Sequence, residues 1–491
     1  MSKNAWRQSR GISKRILITA TLTLLTPTHL GGGEANPQVD LPVLHDAQEP
    51  RALLTGTSLA GALRAYLRTR QVGYATRSER DSLENLLFGA EGIYNTGEQS
   101  LLIISDALAQ DLNLELRDGV AIDPQTRTAA DKKKFDYELL AAGTRFDLHF
   151  ELLILDEAGD NSRRGKTLEK QLLQAAATAL QGLEKGEIPL GARKQRGFGA
   201  CQVKCWQVVE YDLATPQGLV GWLQGDLSAA RQGADIAALL NADHLADQRS
   251  SFTIRAKFQL ASPLLIRSGF GDLNSPDAVH LQSVLAGEDE AVPVISGTSL
   301  AGALRSRCQK ICRTLNLGQA GEFIDSLFGA RLENFDDLPS ASKLSVQESS
   351  FSSSSAEARV QNRVKINRFT GGAYSTALFN NQPVFPDPSD LVELTFTLQN
   401  PQGEQIGLLL LALKDLWTGD LPLGGESSIG RGRLRGVRAD LTYQQPAGNN
   451  EWRLETNGDN ELTITGDAEA LEAYVDMLNR LALISDDSES R

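Results

Sequence analysis

Three observations predict an α+β protein built from two like domains in tandem. The nine residues Gly56–Arg64 (GTSLAGALR) return unchanged as Gly297–Arg305. Four further blocks recur around that string in the same order: Thr26–Gly33 with Ser262–Gly269, Leu87–Ala90 with Leu327–Ala330, Val120–Thr128 with Val364–Arg368, and Leu190–Gly199 with Leu423–Gly432. Within each copy the apolar period switches between two and 3.6 residues, so strands and helices interleave. Two copies are too few, and each too long, for a solenoid. The boundaries fall at 12–210 for the first domain and 252–440 for the second. Residues 211–251 read as a helical connector, and 441–491 as a small C-terminal extension. An antiparallel sheet with helices on one face leaves its other face free to meet a ligand.

Taken in order, the chain begins with a basic lead (Lys3, Arg7, Arg10, Lys14, Arg15) before Ile16–Leu25, an outline similar to a secretory leader. Ile16, Ile18, Ala20, Leu22 and Leu24 alternate with Leu17, Thr19, Thr21 and Thr23, which is strand periodicity, so a first β-strand is expected behind a short arm. The repeated string opens a helix, with Leu59, Leu63 and Leu67 on one face and Ser58 and Ser299 as N-caps. Its free backbone N–H groups, with Arg64 or Arg305 one turn on, suit a phosphate. The alternative is a capped core helix whose glycines only permit tight packing. A helix over Leu168–Lys185 precedes the first Gly-Arg loop and a closing strand. Ser340–Ser355 reads as a mobile excursion. After residue 440 come strands at Trp452–Leu454 and Leu462–Ile464, an amphipathic helix Ala468–Leu483 and a disordered acidic tail Asp486–Arg491, with no counterpart in the first copy.

A net charge of −13 over 491 residues gives no overall basic footprint, so nucleic-acid binding must come from local clusters. Such clusters fall at the repeated positions: Arg127, Arg193, Lys194 and Arg196 in the first copy, and Arg363, Lys365, Arg368, Arg431 and Arg433 in the second. Gly-rich loops let backbone N–H groups close on phosphate oxygens, and Arg adds planar two-pronged contacts. At 6% aromatic residues, stacking is local, at Phe198, Phe369 or Tyr374, so gripping of a backbone fits better than base readout. The cysteines form two C-x₃-C pairs, Cys201/Cys205 and Cys308/Cys312, read as thiols in a reducing cytoplasm rather than a zinc site. No run reaches transmembrane length. Five scattered histidines and the absence of a Walker A string leave Asp40, in Val39–Val43, as the poised group between the Gly31-Gly32 loop and the repeated helix. A lone loop carboxylate can be a turn residue, hold a divalent metal or accept a 2′-hydroxyl proton.

The order G-T-S-L-x-G-x-L-R, L-F-G and a late Gly-Arg loop, behind a first-strand Gly loop, resembles the RAMP superfamily over about 12–440. More narrowly it looks like the backbone subunits of type III CRISPR effector complexes, two of them fused as in subtype III-D-like assemblies. The resemblance implies ferredoxin-like, RNA-recognition-motif-type domains that hold guide RNA through Gly31, Gly32, Ser58, Ser299 and the Arg clusters. It implies Mg²⁺-dependent cleavage of paired target RNA by the loop aspartate, which Asp40 matches. Asp40 lies sixteen residues before Gly56, whereas sixteen before Gly297 stands Leu281, so Asp277 serves in the second copy only if that loop is longer. Ala60 and Ala301 occupy a place where many family members carry Lys, and the second Gly loop lacks the first one's Arg-Lys pair. The implied partners are a CRISPR guide RNA, complementary target RNA and other type III subunits, in the cytoplasm with no membrane. The competing expectations are a non-catalytic scaffold and a guide-processing endoribonuclease.

Overall fold

In the computed structural model the described residues are 11–33, 39–74, 82–90, 99–123, 126, 128–156, 163–236, 245–268, 276–288, 290–330, 340–351, 359–387, 389–457 and 461–489. They form two compact units. The first holds residues up to Glu115, Glu138–Ala192 and Gly199–Arg249; the second holds Ser250 onward together with Leu116–Tyr137 and Arg193–Phe198 from the first repeat.

The first repeat runs β1 (Ile12–Leu24), β2 (Leu53–Leu54), α1 (Gly56–Val72), α2 (Leu83–Phe88), β3 (Leu102–Ile104) and β4 (Ala107–Leu108). It continues with β5 (Leu114–Ile122), β6 (Ala129–Leu140), β7 (Arg145–Leu155), α3 (Arg163–Glu184), β8 (Cys201–Asp212), α4 (Pro216–Gln224) and β9 (Arg231–Gly233). The main sheet has the order β3-β7-β1-β8-β9, every pairing antiparallel. Leaving out the outer strand β9, that is the ferredoxin-like order, with α1 joining the first two core strands and α3 the last two. On β1, Ile16, Ile18, Leu22 and Leu24 are buried while Leu17, Thr19, Thr21 and Thr23 are less so, the alternation expected of a sheet covered on one face. Leu59, Leu63 and Leu67 of α1 join Leu172, Ala176 and Leu180 of α3 in the core beneath it.

The second repeat contains β10 (Ser251–Leu260), β11 (Arg267–Ser268), β12 (Ala278–His280), β13 (Gln282–Val284), β14 (Ala291–Ile295), α5 (Gly297–Thr314) and α6 (Ala320–Phe328). There follow β15 (Leu344–Val346), β16 (Ser349–Ser350), β17 (Gln361–Ile366), β18 (Ala373–Gln382), β19 (Leu391–Gln399), α7 (Gly403–Trp417) and β20 (Leu434–Gln445). Beyond these lie β21 (Gly448–Thr456), β22 (Leu462–Thr465) and α8 (Ala468–Glu489). Its sheet, β15-β19-β10-β20-β21-β22, repeats the first in order and is antiparallel throughout. Leu300, Leu304, Ile406 and Leu413 fill the core under it.

Four expectations change. The connector is more than a helix: residues 211–212 finish β8, and β9 pairs back onto β8. The Ser-rich stretch is ordered where it is described, because Leu344, Val346 and Phe351 need burial and draw β15 and β16 into pairing with β19 and β14. Part of the extension has a counterpart, since β21 lies outside β20 as β9 lies outside β8. α8 continues through the acidic segment to Glu489; its Leu471 and Leu478 are buried, and Tyr474 lies against Gly407 of α7. Cys201, Cys308 and Cys312 are buried, with burial pushing their thiols up, and Cys205 is exposed. Among the described residues no helix is long and apolar enough to cross a membrane.

Candidate nucleic-acid interface

The helix starts, which the sequence pointed to as phosphate sites, carry protein partners of their own. The N-caps are Thr55 and Ser296, three residues before Ser58 and Ser299, whose N–H groups they accept. The first N–H of α1, on Gly56, donates to Asp106 Oδ1 at 2.7 Å. A carboxylate already seated there repels a second anion. In the second repeat a Cβ on Gly297 would meet the carbonyl oxygens of Arg196 and Val346. Arg64 donates to Asn85 Oδ1 at 2.5 Å, and Arg305 bonds Asp325 and the Gly329 carbonyl. The repeated string therefore ties a core helix to the following L-F-G helix, and its arginines are structural.

The Asp40 loop is built in the first unit. The backbone at Gly31 bridges Val43, and Leu44 N–H donates to Leu30 O at 2.7 Å. Glu138, at the base of the β5–β6 hairpin, fastens three segments: its N–H donates to Leu41 O, its carboxylate accepts Val43 N–H at 3.0 Å, and its carbonyl takes the His29 Nδ1 hydrogen at 2.9 Å. Gly31, Gly32 and Asp40 are exposed on this frame.

The second repeat reproduces the backbone pairing of this frame. Arg267 pairs with His280 as Gly31 pairs with Val43, and Leu281 N–H donates to Ile266 O at 2.8 Å. Val294 N–H then donates to Leu281 O, as Leu53 N–H donates to Leu44 O. Asp277 stands three residues before His280, and Asp40 three before Val43. The extra length that the sequence left open is four residues between Leu281 and Val294, taken up by a longer β13–β14 hairpin. The two aspartates thus hold equivalent positions. Asp277 is exposed, and its Oδ2 accepts Asn380 N–H at 2.8 Å while its own N–H donates to Asn380 Oδ1.

His280 is frame, not chemistry. Its Nδ1 accepts Ile266 N–H at 3.1 Å and its Nε2–H donates to Val294 O at 3.0 Å. Burial pushes it down to about 4, so the folded state keeps it neutral. A histidine depressed from its usual 6.5 leaves stability untouched above that pH, and stability falls as pH drops from about 6.5 to about 4, by about 3 kcal/mol at the lower end. Urea titrations across that range should show the fall, and His280→Val, the residue type of Val43, should flatten it.

The Gly-Arg loops close each frame. Leu190 N–H donates to Gly199 O and Leu423 N–H to Gly432 O, with Gly199 and Gly432 at φ +82° and +78°. A Cβ on either would lie within 2 Å of a leucine carbonyl oxygen. Gly432→Ala should therefore cost about 2 kcal/mol or more, read as a shift in the urea midpoint.

The basic residues on these loops divide by surroundings. Arg193 stacks on Phe135 and Tyr137 at 4.8 and 4.6 Å, leaving Lys194 exposed beside it. Arg196 is spent: it donates to the Phe328 and Leu344 carbonyls, and burial followed by the neighbouring Arg305 charge lowers its pKa. Arg431 is 3% exposed and cannot reach a phosphate directly. It sits beside Glu426 at 2.8 Å, with Arg363 at 3.2 Å and Arg267 at 3.5 Å from the same carboxylate. Lys365, Arg368 and Arg433 are exposed. Arg127 lies outside the described residues. Phe198 is buried and cannot stack on a base, whereas Phe369, at the β17–β18 turn, is fully exposed. The turns of the two hairpins are built alike, Asp123 Oδ1 accepting Thr126 N–H and Asn367 Oδ1 accepting Phe369 N–H. Sequence reasoning missed Glu138, Arg267 and Glu426. The last two lie inside the recurring blocks, opposite Gly31 and Arg193, where the break in the repeat was the available signal.

The family model for the RAMP superfamily matches residues 21–202 and again 257–435, well over half of the chain. The chain belongs to the RAMP superfamily. It is a tandem RAMP protein, CRISPR-associated and RNA-binding, and each match carries one complete frame of Gly loop, aspartate, repeated helix and Gly-Arg loop. No curated protein matches the chain. Among the described residues no three His, Cys, Asp or Glu side chains gather as a metal site.

Proposed function

We propose that this RAMP protein is a backbone subunit of a type III CRISPR complex, holding guide RNA and cutting the paired target through Asp40 and Asp277. The observation that carries the reading is the equivalence of those two exposed carboxylates, each three residues before the residue that pairs with the Gly-loop strand. Base pairing supplies the sequence specificity and the protein grips the phosphate–ribose chain. The scissile step is attack of the target's 2′-hydroxyl oxygen on the adjacent phosphorus. The aspartate takes the hydroxyl proton, the P–O5′ bond breaks, and the 5′-oxygen leaves as a hydroxyl after gaining a proton from solvent. Products are a 2′,3′-cyclic phosphate and a 5′-hydroxyl end, and DNA, lacking the nucleophile, survives. Mg²⁺ bound by Asp40 and the RNA would neutralise charge on the phosphate.

The test uses the complex purified with its guide and a labelled complementary RNA. Cleavage that EDTA stops and Mg²⁺ restores, with cyclic-phosphate ends, supports the reading. Intact target under those conditions leaves the scaffold reading instead. Cleavage of a precursor hairpin by the isolated chain favours the guide-processing reading.

A further inference from the structure

In the second unit three guanidinium groups converge on one carboxylate. Glu426 Oε2 lies 2.8 Å from Arg431 Nη1 and 3.2 Å from Arg363 Nη1; its Oε1 accepts Asn381 Nδ2–H at 3.0 Å and lies 3.5 Å from Arg267 Nη2. Gln361 Oε1 accepts from Arg431 Nη2 at 2.5 Å and Arg363 Nη2 at 3.3 Å, adding no charge. Three cations against one anion leave the cluster doubly positive. Arg267 is 62% and Arg363 28% exposed, so two of the guanidiniums reach solvent, while Arg431 and Glu426 form the floor. Arg267 also pairs through its backbone with His280, three residues from Asp277, so the cluster shares the frame of the candidate cutting loop.

The equivalent positions of the first repeat carry the opposite pattern. Arg193 replaces Glu426 at the same left-handed turn position (φ 56° and 63°), Gly31 replaces Arg267, and Phe198 replaces Arg431. A carboxylate held by several guanidinium forks presents its oxygens as a phosphodiester presents its own two.

We propose that Glu426 is a resident stand-in for a backbone phosphate, and that RNA phosphate takes over Arg267 and Arg363 from it. It thereby sets a weaker, less salt-dependent grip in the second repeat than the arginines alone would give. This rests on the RNA-binding reading above and goes beyond it by naming the site and its built-in competitor.

The experiment measures binding of a fluorescein-labelled single-stranded oligoribonucleotide to the full chain across a series of KCl concentrations. Glu426→Gln, which keeps the Asn381 contact, should tighten binding about fivefold at about 0.1 M salt and steepen the salt slope by about 0.7, the share of one phosphate contact. Arg363→Ala and Arg267→Ala should each do the reverse. The double variant Glu426→Gln/Arg431→Met removes the buried pair, keeps a net double charge and unmasks both outer arginines, so it should bind at least as tightly as the unmodified protein. Binding by the unmodified protein with no gain in Glu426→Gln overturns the stand-in role alone. If Glu426→Gln does not fold, a double variant that binds as poorly as Arg363→Ala overturns it. No binding by any form overturns the RNA-binding reading itself.

Discussion

Asp40→Ala is expected to remove one product from the ladder of cuts in a complementary target RNA, and Asp277→Ala a second, with guide content unchanged. Each site should slow by at least about 100-fold, the low end of what a positioned proton acceptor contributes. Bonds through the backbone at Gly31, Val43 and Leu44 and through Glu138 shape the first loop and remain in the variant. Asp277 also orders Asn380, so Asp277→Asn is the cleaner variant there: it keeps an oxygen for the Asn380 N–H and loses the base. Gel mapping of labelled target settles both. Retention of every cut in Asp40→Ala/Asp277→Asn would leave the protein a scaffold. Loss of both cuts from Asp40→Ala alone would mean that the second aspartate, despite its equivalent position, does no chemistry.

Glu348→Ala is expected to destabilise the second unit by about 3–5 kcal/mol, because it strips the partner from a buried guanidinium. Arg117 meets Glu348 through two N–H···O contacts, Nη1–Oε2 at 2.5 Å and Nη2–Oε1 at 3.0 Å, with the side chains 3% and 6% exposed. The Arg117 guanidinium also lies 5.4 Å from the Phe198 ring centre. Replacing both ends with apolar residues (Arg117→Met/Glu348→Leu) should recover most of the loss, since no buried charge is then left alone. Urea unfolding followed by tryptophan fluorescence reads both, through Trp417 and Trp452 of that unit. Equal losses in the single and double variants would mean that shape, not charge pairing, holds Leu116–Tyr137 against its neighbours in this unit. The position has a history in the repeat: Asp106, the first-repeat counterpart two residues after the end of its short strand, caps Gly56 instead.

Much of the fold was legible in the residues. The strand alternation on β1 and the leucine spacing in α1 and α5 are periodicities that burial on one side imposes, and they appear in the core as expected. Recurrence of five blocks in order identified the tandem arrangement because a duplicated core must repeat its packing glycines and leucines. The aspartate in the first loop was legible through its surroundings. Its partner was obscured by four inserted residues, an offset that a count along the chain cannot place but a hydrogen-bond register can.

The arginines were where linear reading failed. Arg64, Arg196, Arg305 and Arg431 look like phosphate ligands as a composition, yet Asn85, backbone carbonyls, Asp325 and Glu426 already hold them. A guanidinium's role depends on which acceptor stands within hydrogen-bond distance, and those acceptors lie as far as 148 residues away in sequence. By itself, the sequence determined that one α+β unit is written twice and where each Gly loop and repeated helix falls, because these follow from local periodicity and repetition. Only the tertiary structure decided which charges are already neutralised and which still face solvent. Charge pairing is made by side chains brought together through folding, and spacing along the chain carries no record of it.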